Sequence, residues 1–307
     1  MARYLTLRIL LGAITIAGVV VLTFALQFMV PGDPARRIAG PRATPEVLAA
    51  VRANEHLNDS VGVQFAHYAE NVVRGDLGVS YIRRRPVIDM IMERLPTTAL
   101  LALAALVVEV VLGGALGLWD GLRRKRSSAL AAANVGLLSV PTYSLGFLFL
   151  IVFAYRLDWA PLGGGATAGS LILPALTLGL FGVPYYTVVV SEATRTALAS
   201  PYVRTAVAKG LPRRLILRRH VLRNCISPVI TLAGLDIAIF LSGVVFVEQV
   251  FSWPGIGALQ EDSFRELDRP VLMGTVIVGA VVVVVFNLVA DLVRAFVDPR
   301  TRSEEAA

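Results

Sequence analysis

Two carboxylates stand where charge is expensive: Glu109 and Asp236 each lie inside a long apolar run. On insertion scales an ionised side chain near the middle of such a run costs about 2.5–3.5 kcal/mol, so it ordinarily faces protein or water. Such an acid either lines a path for a polar solute or holds a hydroxyl or a partner residue for structural ends. A third acid, Glu192, closes an apolar run and is placed to pair with an arginine of the basic stretch that follows. That stretch, residues 200–224 (SPYVRTAVAKGLPRRLILRRHVLRN), carries Arg204, Lys209, Arg213, Arg214, Arg218, Arg219 and Arg223, and no acid occurs between Glu192 and Asp236. It either docks on another protein or rests on anionic lipid, where each charge is worth roughly 1 kcal/mol. Enzyme chemistry is not legible. The sequence has no G-x-x-x-x-G-K-[ST] phosphate loop, so the chain does not hydrolyse ATP itself. His56, His67 and His220 show no paired metal spacing, and no Ser/His/Asp arrangement stands out. The single cysteine, Cys225, excludes an internal disulfide and a Cys-based metal cluster.

The elements that hold these residues are membrane spans. Of 307 residues 56% are hydrophobic and only 17% charged, with mean hydropathy +0.69. Soluble chains average about 25% charged. A net charge of +7 and a pI near 10.0 raise the question of nucleic acid. The arginines cluster at the ends of apolar runs, so topology explains them and no nucleic-acid partner is expected. Residues 9–30 hold no charge and suffice to cross about 30 Å of hydrocarbon at 1.5 Å per residue. Their length, and the lack of a small-x-small cleavage site, favour a permanent first span over a cleaved signal.

Residues 31–96 form a polar connection, read as a folded external loop with helices over 45–53 and 62–74 and a turn into an extended piece at 75–80. Further spans follow at 97–119, at 129–155 (broken by Pro141), at 171–191 (with Pro174 and Pro184), at 228–247 and at 271–290. The domain plan is therefore 1–30, 31–96, a five-helix core over 97–297 containing the loop 192–227, and a tail over 298–307. Short-loop Lys and Arg mark the cytoplasm. Four lie in 121–128 and eight in 193–227, which puts both termini and the basic loop inside. Nine arginines in 31–96 vote the other way, but loops beyond about 60 residues vote poorly.

Local chemistry gives the basic loop a shape. Ser200 is a good N-cap and Pro201 suits the first helical position. Gly210 supplies a left-handed end and Pro212 stops the helix. The spacing predicts one short helix over 201–209 and a second from about 213 leading back into the bilayer.

Arg204-Thr205-Ala206, three residues, then Gly210 resembles the "EAA…G" loop of the inner-membrane permease subunits of ABC importers. The string YVRTAVAKGL, followed by His220, Arg223, Asn224 and Pro228, is similar to the variant in the dipeptide/oligopeptide/nickel branch, close to its dipeptide B-type subunits. Arg204 and Thr205 stand where the general motif has Glu and Ala. RGDLGVS with Pro86-Val87 and RLPTT, and Glu248-x-x-Phe251-x-Trp253-Pro254-Gly255-x-Gly257, extend the resemblance, which Asn287, Asp291 and Asp298-Pro299-Arg300 complete. NEHLNDSVGVQF departs from the branch's Gly-Leu-Asp-x-Pro element, and Asp236 departs as well.

The resemblance implies an all-α polytopic protein with the six-helix type I ABC importer permease fold. It implies a coupling helix at Tyr202, Val203, Arg204, Thr205, Ala206, Ala208, Lys209, Gly210 and Leu211, supported by His220, Arg223 and Asn224. It implies a second, homologous permease subunit as partner, two ABC ATPase subunits or domains carrying ATP and Mg, and an extracytoplasmic binding protein met by Phe251, Trp253, Pro254, Gly255 and Gly257. Di- or oligopeptides are the expected cargo, with nickel or haem-type ligands as the alternative within the branch. From the residues alone two other readings stand: a proton-driven secondary transporter with Asp236 or Glu109 as relay, and a membrane scaffold without transport. No inverted repeat of the kind secondary transporters show is visible.

Overall fold

The computed structural model describes residues 2–28, 33–40, 42–54, 56–165, 167–241 and 245–297. Asp298-Pro299-Arg300 and the tail lie outside them. The described residues are helical apart from turns and one isolated bridge between Val79 and Pro86, the extended piece expected near 75–80.

The first helix, α1 (Ala2–Gln27), is followed by three short ones, α2 (Pro34–Ala39), α3 (Pro45–Asn54) and α4 (Val61–Val73). These make a small lobe at one end of the molecule, with α3 and α4 close to their expected bounds. Phe24 of α1 meets Phe65 and Tyr68 of α4 edge-on and tilted, and Thr23 shares a hydrogen bond of 3.1 Å with the Tyr68 hydroxyl. The next helix starts earlier than the predicted 97. α5 (Val87–Val108) continues through a π-helical turn at Glu109–Gly113 into α6 (Gly114–Gly121), giving a 35-residue apolar column. The loop boundary at 96 therefore falls inside a helix. Pro96 lies within this helix, and next to it Thr97 donates its hydroxyl to the Arg94 carbonyl (2.7 Å).

The predicted third span is two arms, α7 (Ser128–Ser139) and α8 (Thr142–Phe149) with its π-helical extension Leu150–Arg156, bent by 95°. Val140, extended because it precedes Pro141, makes the corner. In α9 (Ala168–Ala199), Pro174 and Pro184 are buried within an unbroken helix of 32 residues, so they pack rather than break it. Then come α10 (Pro201–Ala208), α11 (Arg213–Ile216) with a π-helical turn Leu217–Val221, α12 (Leu222–Leu241), α13 (Val245–Val250), α14 (Ile256–Arg265) and α15 (Arg269–Val297). Four helices among the described residues are long and apolar enough to cross a membrane, or five if the bent α7–α8 pair is one span.

The core lies where α5, α9 and α12 meet, with α15 against α12 and α1 outermost against α15. Gly113, at the end of the π-helical turn, and Gly117 and Gly121 of α6 repeat every fourth residue and let α9 approach closely; a Cβ at Gly117 would sit 2.7 Å from the Thr187 carbonyl oxygen. At the far side Arg8 of α1 pairs with Asp291 of α15 at 3.1 Å.

Candidate functional site

The basic end of the molecule is built as expected, with one change of detail. Ser200 holds the N-cap position of α10, but its hydroxyl donates backward to the Ala197 carbonyl and closes α9 instead. At the other end of α10, Gly210 has φ +74°, its amide bonds the Val207 carbonyl (2.9 Å), and the Leu211 amide bonds the Ala206 carbonyl (3.2 Å). That pair of bonds is a Schellman cap, completed by Leu211 packing beneath the helix. Val203 and Ala206 are buried against Ile216, so these two expected coupling residues face their own chain. Tyr202, Arg204, Thr205, Val207, Ala208 and Lys209 are exposed. The support group also assembles. Asn224 donates from Nδ2 to the Tyr202 hydroxyl (2.7 Å) and to the His220 carbonyl (2.6 Å), and the Tyr202 and His220 rings lie 6.0 Å apart. Arg223 is exposed beside them.

Beneath α10 stands a cluster that sequence reasoning missed. Asp120, at the end of α6, accepts from the Ser191 hydroxyl (2.7 Å), the Ser127 amide (2.8 Å) and Arg195 Nη2 (3.1 Å). Arg195 also donates to the Asp120 carbonyl of α6 (2.6 Å) and to the Arg123 carbonyl just beyond it (3.2 Å). Glu192 pairs with Arg126 of the 121–128 turn, not with an arginine of its own loop as expected. Charge-assisted bonds thus tie α6, the basic turn and the last turns of α9 into one body. The Asp-Gly pair ending α6 was the only available signal, and it reads equally well as a turn.

In the apolar interior, Glu109 and Asp236 come together. The Glu109 carboxyl is fully buried at the π-helical turn and faces Asp236 of α12. Asp236 accepts from the Tyr186 hydroxyl of α9 at 2.6 Å. Glu109 Oε2 has no hydrogen-bond partner among the described residues. Three core helices therefore share a polar knot, and π-helical turns often mark functional positions.

The string beginning at Glu248 is not an exposed contact. Trp253 is 1% and Phe251 3% exposed, both inside the core, and Gly255 and Gly257 are buried too. The reason is a carboxylate cradle. Glu248 accepts from the Thr98 hydroxyl (2.8 Å) and the Ala258 amide (2.9 Å), while Thr98 accepts from the Ile256 amide (2.8 Å). A Cβ at Gly255 would lie 1.9 Å from Glu248 Oε1, so only glycine allows the approach. The Trp253 indole donates to the Thr97 carbonyl (3.0 Å). Burial, the largest influence, holds the Glu248 carboxyl above the usual range, against the pull of the Ala258 and Gly257 amides and the Thr98 hydroxyl. These aromatics were expected at a binding-protein contact; the groups that bury them instead, Thr97 and Thr98, are far away in sequence. Exposed on α14 and just beyond it are Asp262, Phe264, Arg265 and Glu266.

The arginine triplet near α5 is tied up in the same region. Arg83 pairs with Glu266 (2.8 Å), Arg84 donates to the Ile38 carbonyl (2.7 Å) and Arg85 pairs with Glu93. Buried Asp268 accepts from the Tyr81 amide (3.1 Å) and from the Ser80 hydroxyl, fastening the lobe to the start of α15.

A helical, apolar, many-span body with a rigid basic peg at one end is the architecture of a membrane permease component. Comparison with known proteins gives the family. The model of the binding-protein-dependent transport system inner membrane component matches residues 110–303, and the N-terminal membrane-component model of the same system matches 1–102. The chain is 38% identical to the glutathione transport system permease protein GsiC of Escherichia coli strain K12, over 98% of this chain and 99% of that protein. The same holds for the protein of that name from Shigella dysenteriae serotype 1. That from Salmonella choleraesuis is 37% identical over 96% of this chain and 98% of its own length. This chain belongs to the family of binding-protein-dependent transport system inner membrane components. It is a permease of an ABC importer and not an enzyme; ATP is hydrolysed in separate subunits. Membership removes the proton-driven and scaffold alternatives.

Proposed function

We propose that this chain is one half of the channel through which an ATP-driven importer moves short peptides across a bacterial cytoplasmic membrane. Six spans cross the bilayer in this reading: α1, α5 with α6, the bent α7–α8 pair, α9, α12 and α15. The short-loop positive charge sets the basic end and both termini in the cytoplasm. A homologous but different permease supplies the other half of the channel, and two ATPase subunits or domains, with their ATP and Mg, sit below. A binding protein docks on the opposite end, where Phe264, 66% exposed on α14, takes over the contact role first expected of Phe251 and Trp253. The names of the relatives favour a peptide such as glutathione over a nickel or haem-type ligand. The knot of Glu109, Asp236 and Tyr186 joins the helices that must part when the pathway switches from inward- to outward-facing.

The observation that carries this reading is α10 itself. An eight-residue helix, capped at its end, buries one face on its own chain and offers Tyr202, Arg204, Thr205, Ala208 and Lys209 outward. Such a peg moves as a body, so closure of an ATPase dimer against it becomes motion of α9 and α12. Lys209→Cys in a Cys225→Ala background should crosslink to an ATPase subunit in the assembled complex. In vesicles, uptake of a short peptide should need both ATP and the binding protein. No crosslink, or labelling of residue 209 from outside, ends the reading.

A further inference from the structure

The lobe formed by α2–α4 brings together two histidines whose separation in sequence matches no local ligand spacing. His56 lies in the turn after α3, with φ +56°, and His67 lies on α4. Their rings stack with centroids 4.5 Å apart, and His56 Nδ1 is 2.8 Å from Asp59 Oδ2. One ligand atom from each of His56, Asp59 and His67 falls within 4.8 Å of the others. Metal–ligand bonds of about 2.0–2.2 Å put tetrahedral neighbours about 3.4 Å apart. The closure needed is about an ångström and a half, a matter of side-chain rotation for exposed groups.

The backbone that carries them is already held. Gln64 donates from Nε2 to the Asp59 carbonyl (2.9 Å) and to the Leu57 carbonyl (3.3 Å), clamping the 56–59 turn onto α4 one helical turn before His67. Both histidines line the wall of a cleft of about 580 Å³ between the lobe and the ends of α1 and α15, so solvent reaches them. Two imidazoles and one carboxylate suit a borderline divalent ion such as Zn²⁺, Cu²⁺ or Ni²⁺, and not Ca²⁺ or Mg²⁺, which want oxygen.

We infer that His56, Asp59 and His67 form a binding site for a divalent transition-metal ion on this lobe, independent of the transport cargo. The ion closes the α3–α4 turn onto α4 and leaves a coordination position for water.

The test uses the tag-free full-length chain, assembled with its partners in nanodiscs. Zn²⁺ binding is read by competition with a chromogenic chelator. Cu²⁺ is read by its paramagnetic resonance spectrum, which counts directly bound nitrogens. The expected result is one equivalent of Zn²⁺ per chain, insensitive to excess Ca²⁺, and a Cu²⁺ spectrum with two imidazole nitrogens. His67→Gln should weaken Zn²⁺ binding at least tenfold and leave one nitrogen, and Asp59→Asn should weaken it less. Hydrogen exchange over 56–67 should slow with Zn²⁺ in the unmodified chain only. Equal Zn²⁺ uptake by the unmodified chain and a His56→Gln, His67→Gln double variant would overturn the inference. So would a Cu²⁺ spectrum without two nitrogens, the outcome for a plain His56–Asp59 ion pair stacked on His67.

Discussion

Glu248 shows how one side chain can organise a motif. Glu248→Ala strands the Ala258 amide and the Thr98 hydroxyl in a dry site, at about 1–3 kcal/mol for each group. Glu248→Gln can still point its carbonyl at Ala258 and its amide at Thr98, so it should keep the complex assembled. Thermal unfolding of the purified assembly separates the two. The pH dependence has a definite sign. Because the folded carboxyl sits above its ordinary value, its contribution is full below the unfolded value of about 4.3 and is lost as pH rises through the folded value. Glu248→Gln should therefore gain on the unmodified chain as pH increases from about 4 upward, and an unchanged difference would refute the burial argument. None of this was readable beforehand. The string E-x-x-F-x-W-P-G-x-G announces a tight turn, but the groups that bury it belong to α5. Asp120 was unreadable for the same reason, since Ser191 and Arg195 reach it only once α6 and α9 pack. Asp120→Asn loses an ion pair and should cost about 1.5–3 kcal/mol in the same unfolding measurement.

At the scale of elements, the boundaries written in local chemistry were the legible ones. Pro201, Gly210 and Pro212 act on their own backbone, and α10 ends where they dictate. The helix leading back from the basic loop starts at Arg213, as expected, but the start of α5 was less readable. VIDMIMERLPTT looks polar enough for a loop, but Val87, Met90 and Ile91 pack on Ile256, Leu259 and Val271. The corner at Pro141 was legible; its 95° angle was not, because it depends on what α8 packs against. Gly210→Ala meets no steric neighbour, so its penalty is the left-handed backbone alone, about 1–2 kcal/mol. The expected result is a loosened α10, with peptide uptake falling more than basal ATP hydrolysis. Equal loss of both would mean that the cap serves assembly rather than transmission. Deleting 255–262 is not a clean probe of the opposite end, because it removes buried Ile256 and Leu259. Phe264→Asp is better. It should lower binding-protein-dependent uptake while leaving ATPase association intact.

Across the whole molecule, family strings revealed the class before any geometry did, and composition alone revealed only a membrane protein. What neither could reveal is how the two ends are joined. The column from Val87 to Gly121 is continuous, about 52 Å at 1.5 Å per residue. Its upper part is strapped by Thr97 and Thr98 to the turn before α14, and its lower end by Asp120 to Ser191 and Arg195, just ahead of the peg. A rod held at two such distant points cannot shift at one without shifting at the other. On the function proposed above, news that nucleotide has been engaged at the basic end would thus arrive at the opposite end as displacement, with no separate messenger. Cutting the upper strap alone, by Thr98→Val, should leave the two faces answering out of step: nucleotide turnover persists, while the bound carrier no longer senses it.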